Sequence, residues 1–226
     1  MKKQVSLTFM VAGLLFTVCL IIANIIAQKT ITVFGLSATA GILVFPISYI
    51  VNDLIAEVWG YRKARLMIWY GFLMNFFVVI VFQLSIVIPG SEFFGHQDAY
   101  AQVLGASARI TIASFLAFLV GSFVNAWVMS RMKIAQRGKG FSIRAVVSTF
   151  AGEGIDSIIF FFIAFVGLMP MPVLLKLTLH VAILKTAYEI LVLPLTVYVV
   201  KKVKQIEQVD VYDEGVSYNP FKVKEV

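Results

Sequence analysis

The sequence predicts an all-α integral membrane protein with six transmembrane helices and both termini cytoplasmic. Three observations predict it. The 226 residues are 60% hydrophobic and only 14% charged, with a mean hydropathy of +0.93, whereas soluble domains carry about a quarter charged residues. Six apolar runs each approach the roughly 20 residues that a span requires. Lys and Arg are concentrated in alternate connections, as the positive-inside rule demands.

Taken in order, the first run, 7–27, follows Lys2 and Lys3. It imitates a signal peptide, but it exceeds the usual apolar core of roughly 7–15 residues and no clear A-x-A site follows, so a retained helix is expected. The second span, 37–57, holds Pro46 in its outer half. There a proline removes a backbone hydrogen bond and is expected to kink or break the helix, either for packing or to present backbone groups to a substrate. Arg62, Lys63 and Arg65 follow, then a third span at 66–88. The connection 89–107 has no Lys or Arg and is expected to carry a short surface helix over 97–104. The fourth span, 108–130, leads into Arg131, Lys133, Arg137, Lys139 and Arg144. The fifth covers 145–168 and the sixth 176–200, followed by Lys201, Lys202 and Lys204. Lys29 and Lys176 are the only bases in the first and fifth connections. Trp59, Trp69 and Trp127 fall at the basic helix ends, where aromatic belts sit. The expected division is a transmembrane domain over 1–204 and a flexible cytoplasmic tail over 205–226, rich in acids at Asp210, Asp213 and Glu214.

Composition also excludes function classes. One cysteine, Cys19, supports neither a disulfide framework nor a metal cluster. The net charge of +7 is spent on orientation in the bilayer, so nucleic acid is not an expected partner. The chain has no H-E-x-x-H, G-x-S-x-G or P-loop pattern, and His96 and His180 lie far apart. Neither an enzyme nor a bound cofactor is expected.

The chemistry lies in charges buried within the spans. Glu153 and Asp156 sit one turn apart in the fifth span. Counted at 1.5 Å per residue from the basic ends, Glu153 lies roughly 12 Å deep, Asp156 and Glu189 roughly 17 Å, and Lys185 roughly 22 Å. Asp156 and Glu189 are therefore expected at one level. Each such charge costs about 2.5–3.5 kcal/mol on insertion scales, so the four together would cost roughly 10–14 kcal/mol without partners or water. A structural network, with Lys185 pairing Glu189 at i,i+4, is one solution. Three acids against one lysine leave at least one acid for a ligand, cation or proton, even with Arg109 balancing a second. Asp53 and Glu57, just before Arg62, Lys63 and Arg65, fit a basic-end salt-bridge cluster or a substrate contact. Asn24, Asn75 and Asn125 serve as interhelical glue or cavity lining. Phe160, one turn beyond Asp156 on its face, is placed to stack on a planar ligand.

Three blocks then acquire a common meaning: F-P-I-S-Y-I-V-N-D-L-I-A-E-V-W-G-Y-R-K-A-R at 45–65, A-R-I-T-I-A-S-F at 108–115 and G-E-G-I-D-S-I-I-F-F-F-I-A-F at 152–165. In order and spacing they resemble the bacterial queuosine-precursor transporters of the vitamin-uptake-transporter group. The resemblance covers roughly 10–200. It implies a multi-pass protein of the bacterial inner membrane that imports 7-cyano-7-deazaguanine or its aminomethyl relative for queuosine salvage in transfer RNA. A deazaguanine offers N–H donors beside a carbonyl on its pairing edge. Asp156 would then accept, Arg109 or Lys185 would donate, and Phe160 would cover the ring. Glu153, Glu189 and Asn75 complete the expected substrate side, with Asp53, Glu57, Arg62 and Pro46 as structural or gating residues. Some relatives carry Asn at the position of Glu153, which moves weight to Asp156. Two rivals stay open: a substrate-capturing subunit dependent on a separate ATPase, and a structural membrane protein whose charges only pair helices. A homo-oligomer is likewise left open.

Overall fold

The computed structural model describes residues 5–27, 29–33, 36–105 and 108–222; Lys2 and Lys3 lie outside them. Six α-helices dominate: α1 (Leu7–Ile26), α2 (Phe45–Val87), α3 (Gln97–Leu104), α4 (Ala108–Ala135), α5 (Phe141–Phe165) and α6 (Met171–Glu207). Five of them, all but α3, are long and apolar enough to cross a membrane, so the protein is a multi-span membrane protein. Among the described residues the only sheet is a hairpin, β1 (Thr30–Val33) against β2 (Leu36–Thr39), with Thr30 opposite Thr39.

Two expectations about the second span need correction. Helix does not begin at 37: the hairpin and a 3-10 turn, Ala40–Leu43, occupy that stretch, and α2 starts at Phe45. Pro46 therefore lies in the first turn, where its missing N–H has no helical acceptor to lose, and it starts the helix instead of breaking it. The break falls at Gly60, with φ 82° and ψ 172° inside an otherwise continuous 43-residue helix. It divides α2 into arms at 45–59 and 61–87, which correspond to the second and third predicted spans. Gly60 suits the site on two grounds. Its φ is one that L side chains rarely adopt, and a Cβ there would lie 2.7 Å from Asp213 Oδ1 and 2.8 Å from Val211 Cγ1.

Glycines also bring α4 and α5 together. A Cβ on Gly121 would meet the Gly152 carbonyl oxygen at 2.8 Å, and one on Gly152 would meet Asn125 Cβ at 2.6 Å. Small residues thus permit the close backbone approach typical of membrane helices. That approach seats Glu153 and Asp156 of α5 in the interior, both buried. Large apolar side chains of α1, α2 and α6, such as Leu14, Phe77 and Leu191, point outward, as lipid-facing surfaces require. Buried Phe16, Ile55, Ile68, Phe118 and Met129 fill the core between helices.

The predicted loose tail is instead packed down. α6 continues to Glu207, and the segment 209–222 crosses the basic end of the bundle. Asp213 accepts the Tyr61 N–H at 3.1 and 2.9 Å, one bond to each carboxylate oxygen, and Ser130 donates to Asp213 at 2.6 Å. The Val211 N–H donates to the Val58 carbonyl at 3.1 Å. Arg65 donates to the Ser217 and Asn219 carbonyls, and Trp69 to that of Pro220. The cause is the break at Gly60. It frees backbone groups on both arms of α2, and buried backbone groups need partners.

Candidate functional site

A cavity of about 450 Å³ opens in the half of the bundle opposite the basic ends. Its walls come from the end of α1, the start of α2 with the turn before it, the far part of the second α2 arm, α4, α5 and α6. All these segments lie toward the ends remote from Arg131, Lys133, Arg144 and Lys204.

At the floor, Lys185 Nζ pairs with Asp156 Oδ2 at 2.6 Å, and both residues are buried. The same ammonium lies 4.4 Å from the Phe45 ring centroid, a cation–π contact. Asp156 Oδ1 makes no hydrogen bond within the protein among the described residues, so the pair retains acceptor capacity beside the cavity. Of the solutions the sequence leaves open, Lys185 thus takes Asp156 and not Glu189 as its ion-pair partner. The lysine stem spans about one helical turn, so depth counted at the backbone does not decide its partner. Phe160 lines the cavity, together with Phe161 and Phe165, which pack edge-on or tilted against one another.

A polar strip runs up the opposite wall. Asn24 donates to Asn75 Oδ1 at 3.1 Å, and Ser114 donates to Asn24 Oδ1 at 3.1 Å. All three side chains line the cavity, so glue and lining are one role here. Arg109 is placed elsewhere. Its side chain is exposed and donates to the Ile163 and Val166 carbonyls at 2.6 Å each, closing the end of α5 as helix-terminal cations do. It does not line the cavity.

Toward the basic end lies a layer of carboxylates; neither Glu153 nor Glu189 lines the cavity, so they stand apart from the substrate side on which the sequence placed them. Asp53, Glu153 and Glu189 are at most 1% exposed. Asp53 accepts from Asn125 at 2.8 Å and from Ser148 at 3.3 Å. Among the described residues, neither oxygen of Glu153 or Glu189 has a hydrogen-bond partner.

Beyond that layer comes a seal of ion pairs. Glu57 Oε1 takes Arg144 at 2.8 Å and Lys204 at 2.6 Å. Lys133 donates to the Glu57 carbonyl at 2.5 Å and pairs with Asp210, which also takes Lys204 at 2.8 Å. The cluster expected between Asp53, Glu57 and Arg62–Arg65 is thereby redistributed. Glu57 pairs with α4, α5 and α6, because the turn at Gly60 carries the following bases away from it. Arg62 faces outward, Lys63 lies over the Phe9 ring, and Arg65 holds the tail. Sequence reasoning missed Phe45 as a cavity residue and Tyr49, Lys133 and Asp213 as buried groups. The signal available was Gly60 in W-G-Y, a flexible residue where an apolar run meets a basic one.

Comparison with known proteins agrees with this architecture. The family model described as "Putative vitamin uptake transporter" matches residues 39–199. A Bacillus subtilis (strain 168) protein named "Probable queuosine precursor transporter" is 28% identical over 187 residues, 82% of this chain and 80% of its own length. The Escherichia coli (strain K12) "Queuosine precursor transporter" is 27% identical over 148 residues, 63% of this chain and 62% of its own. A Haemophilus influenzae protein named "Probable queuosine precursor transporter" is 30% identical over 138 residues, 58% of this chain and 54% of its own. No solved structure matches. The matched span includes the Gly60 break, both glycines of the α4–α5 contact and every carboxylate from Asp53 to Glu189, and the chain belongs to the family of "Putative vitamin uptake transporter" proteins.

Proposed function

We propose that this chain imports a queuosine precursor, a 7-deazaguanine, across the bacterial inner membrane, and that it is a transporter and not an enzyme. The observation that carries the reading is the Asp156–Lys185 pair at the floor of the cavity. The volume of about 450 Å³ falls within the range of small-molecule sites, roughly 300–1,000 Å³. A planar ring with an amidine-like donor edge and a neighbouring carbonyl matches the pair. Asp156 accepts the N–H groups, Lys185 donates to the carbonyl, and Phe45 and Phe160 offer apolar faces. Asn24, Asn75 and Ser114 supply further donors and acceptors on the other wall. The names of the three relatives support the substrate class.

The two arms of α2 cross separately in this reading, giving six crossings with α1, α4, α5 and α6. Both termini are then cytoplasmic, which puts Arg131, Lys133, Arg144 and Lys204 inside and opens the cavity outward. The test is uptake of labelled 7-cyano- and 7-aminomethyl-7-deazaguanine by cells unable to make either, with and without this gene. Asp156→Asn should abolish that uptake while the protein still reaches the membrane. Wild-type uptake by Asp156→Asn would refute the site, and no uptake of either precursor would refute the function.

A further inference from the structure

The carboxylate layer between cavity and seal asks for a ligand of its own. Glu153 is 0% exposed and Glu189 1%, and among the described residues none of their four oxygens has a hydrogen-bond partner. Neutral groups around them are also unsatisfied. Thr149 Oγ1 sits beside Glu189 outside hydrogen-bond geometry, and the Tyr49 hydroxyl and Asn125 Oδ1 are buried without partners. The charged groups in reach are few. From α2 come Asp53 and Glu57, with Tyr49 as a weak acid; from α5 Asp156; from α6 Lys185. Lys185 is held by Asp156. The nearest remaining cations, Lys133, Arg144 and Lys204, are held by Glu57 and Asp210. Two ionised carboxylates in this setting would be uncompensated buried charge, which folded proteins do not sustain.

The smallest species that relieves the conflict is a proton. A protonated carboxyl is neutral and gains an O–H donor, which Thr149 Oγ1, Asn125 Oδ1 and the Tyr49 oxygen can accept. A metal ion fits less well, since among the described residues no three acidic, histidine or cysteine side chains converge to hold one. We infer that Glu153 and Glu189 form a proton-binding site, loaded from the substrate cavity past Asp156 and Lys185, whose proton accompanies substrate inward. This rests on the transport reading above for its direction, but the site itself does not. Loaded, the layer is neutral and can pass the apolar interior when the seal opens. Emptied toward Asp53 and the basic end, it draws the seal's cations back and resets it.

Infrared difference spectroscopy on the purified full-length protein tests the site without any substrate. A protonated-carboxyl C=O band should be present at neutral pH and should weaken in both Glu153→Gln and Glu189→Gln. Absence of the band in the wild type, or a band unchanged in both variants, would overturn the site. Proteoliposomes test the coupling. An inward pH gradient should drive accumulation of labelled 7-cyano-7-deazaguanine. Both Gln variants should still exchange labelled for unlabelled precursor but lose the pH-driven component by tenfold or more. Unchanged pH-driven accumulation in both variants, or accumulation driven by a sodium gradient alone, would overturn it. Failure of the wild type to exchange precursor at all would refute the substrate, and the infrared band would still decide the proton site.

Discussion

The two ends of the bundle interior use the same residue types to opposite effect. At the basic end, Glu57 and Asp210 are shared among Lys133, Arg144 and Lys204, and the tail closes over them. At the cavity floor, Asp156 has a single ion-pair partner and keeps an oxygen open to the cavity. Charges that saturate one another make a plug, and charges with spare capacity make a binding site. One structure thus shows an opened and a closed half, the pattern expected of a carrier caught with its site accessible from one side.

The comparison can be broken from the closed end first. Glu57→Gln should leave three cations around a neutral amide. Removing one partner of a buried ion pair costs about 3–5 kcal/mol, so thermal unfolding in detergent should show a large loss of stability. A variant that melts like the wild type would mean the seal holds nothing. Gly60→Ala comes next. A non-glycine residue in such a conformation costs about 1–3 kcal/mol, and the new methyl would press on Asp213. The expected result is a lower melting temperature together with faster proteolysis within 209–222. Slower proteolysis than in the wild type would show that the tail does not depend on the break.

The smallest effect is one of pH. Burial raises the Asp210 carboxyl, but hydrogen bonds from Lys133 and Lys204 outweigh it and hold the group below its ordinary value. A depressed carboxyl stabilises the folded state above its ordinary titration range, and that contribution is lost as pH falls through the folded value. The tail should therefore become more protease-sensitive on acidification below the usual aspartate range. Asp210→Asn should blunt that response. Asp210 is partly exposed, so salt should weaken the effect as well. A tail equally resistant at every pH would remove Asp210 from the seal.

The spans were legible because lipid imposes a simple demand. Long apolar runs such as 108–130 and 145–168 have no other stable home, and 97–104 emerged as the expected helix. Glu153, Asp156, Lys185 and Glu189 were legible as anomalies for the same reason. What escaped was whatever depends on partners distant in sequence. Arg109 reads as a free donor until the open carbonyls at the end of α5 are seen. The tail reads as loose because it is polar, while its partners, the Val58 carbonyl and the Tyr61 N–H, are exposed only by a helix break. Pro46 and Gly60 carry similar breaking signals in sequence, and only the position of the first helical turn decides between them.

That break also sets a schedule. Tyr61 and Asp213 are 152 residues apart, so both arms of α2 are synthesised long before the carboxylate that joins them. During that interval the Tyr61 N–H must rely on water at the membrane surface. The cavity half can assemble as soon as α6 brings Lys185 to Asp156, but the basic end waits for the chain beyond α6. Such long-range closure belongs to the slow, late part of folding. Quality control of this protein would then act most sharply on chains that have inserted every helix and still lack their plug.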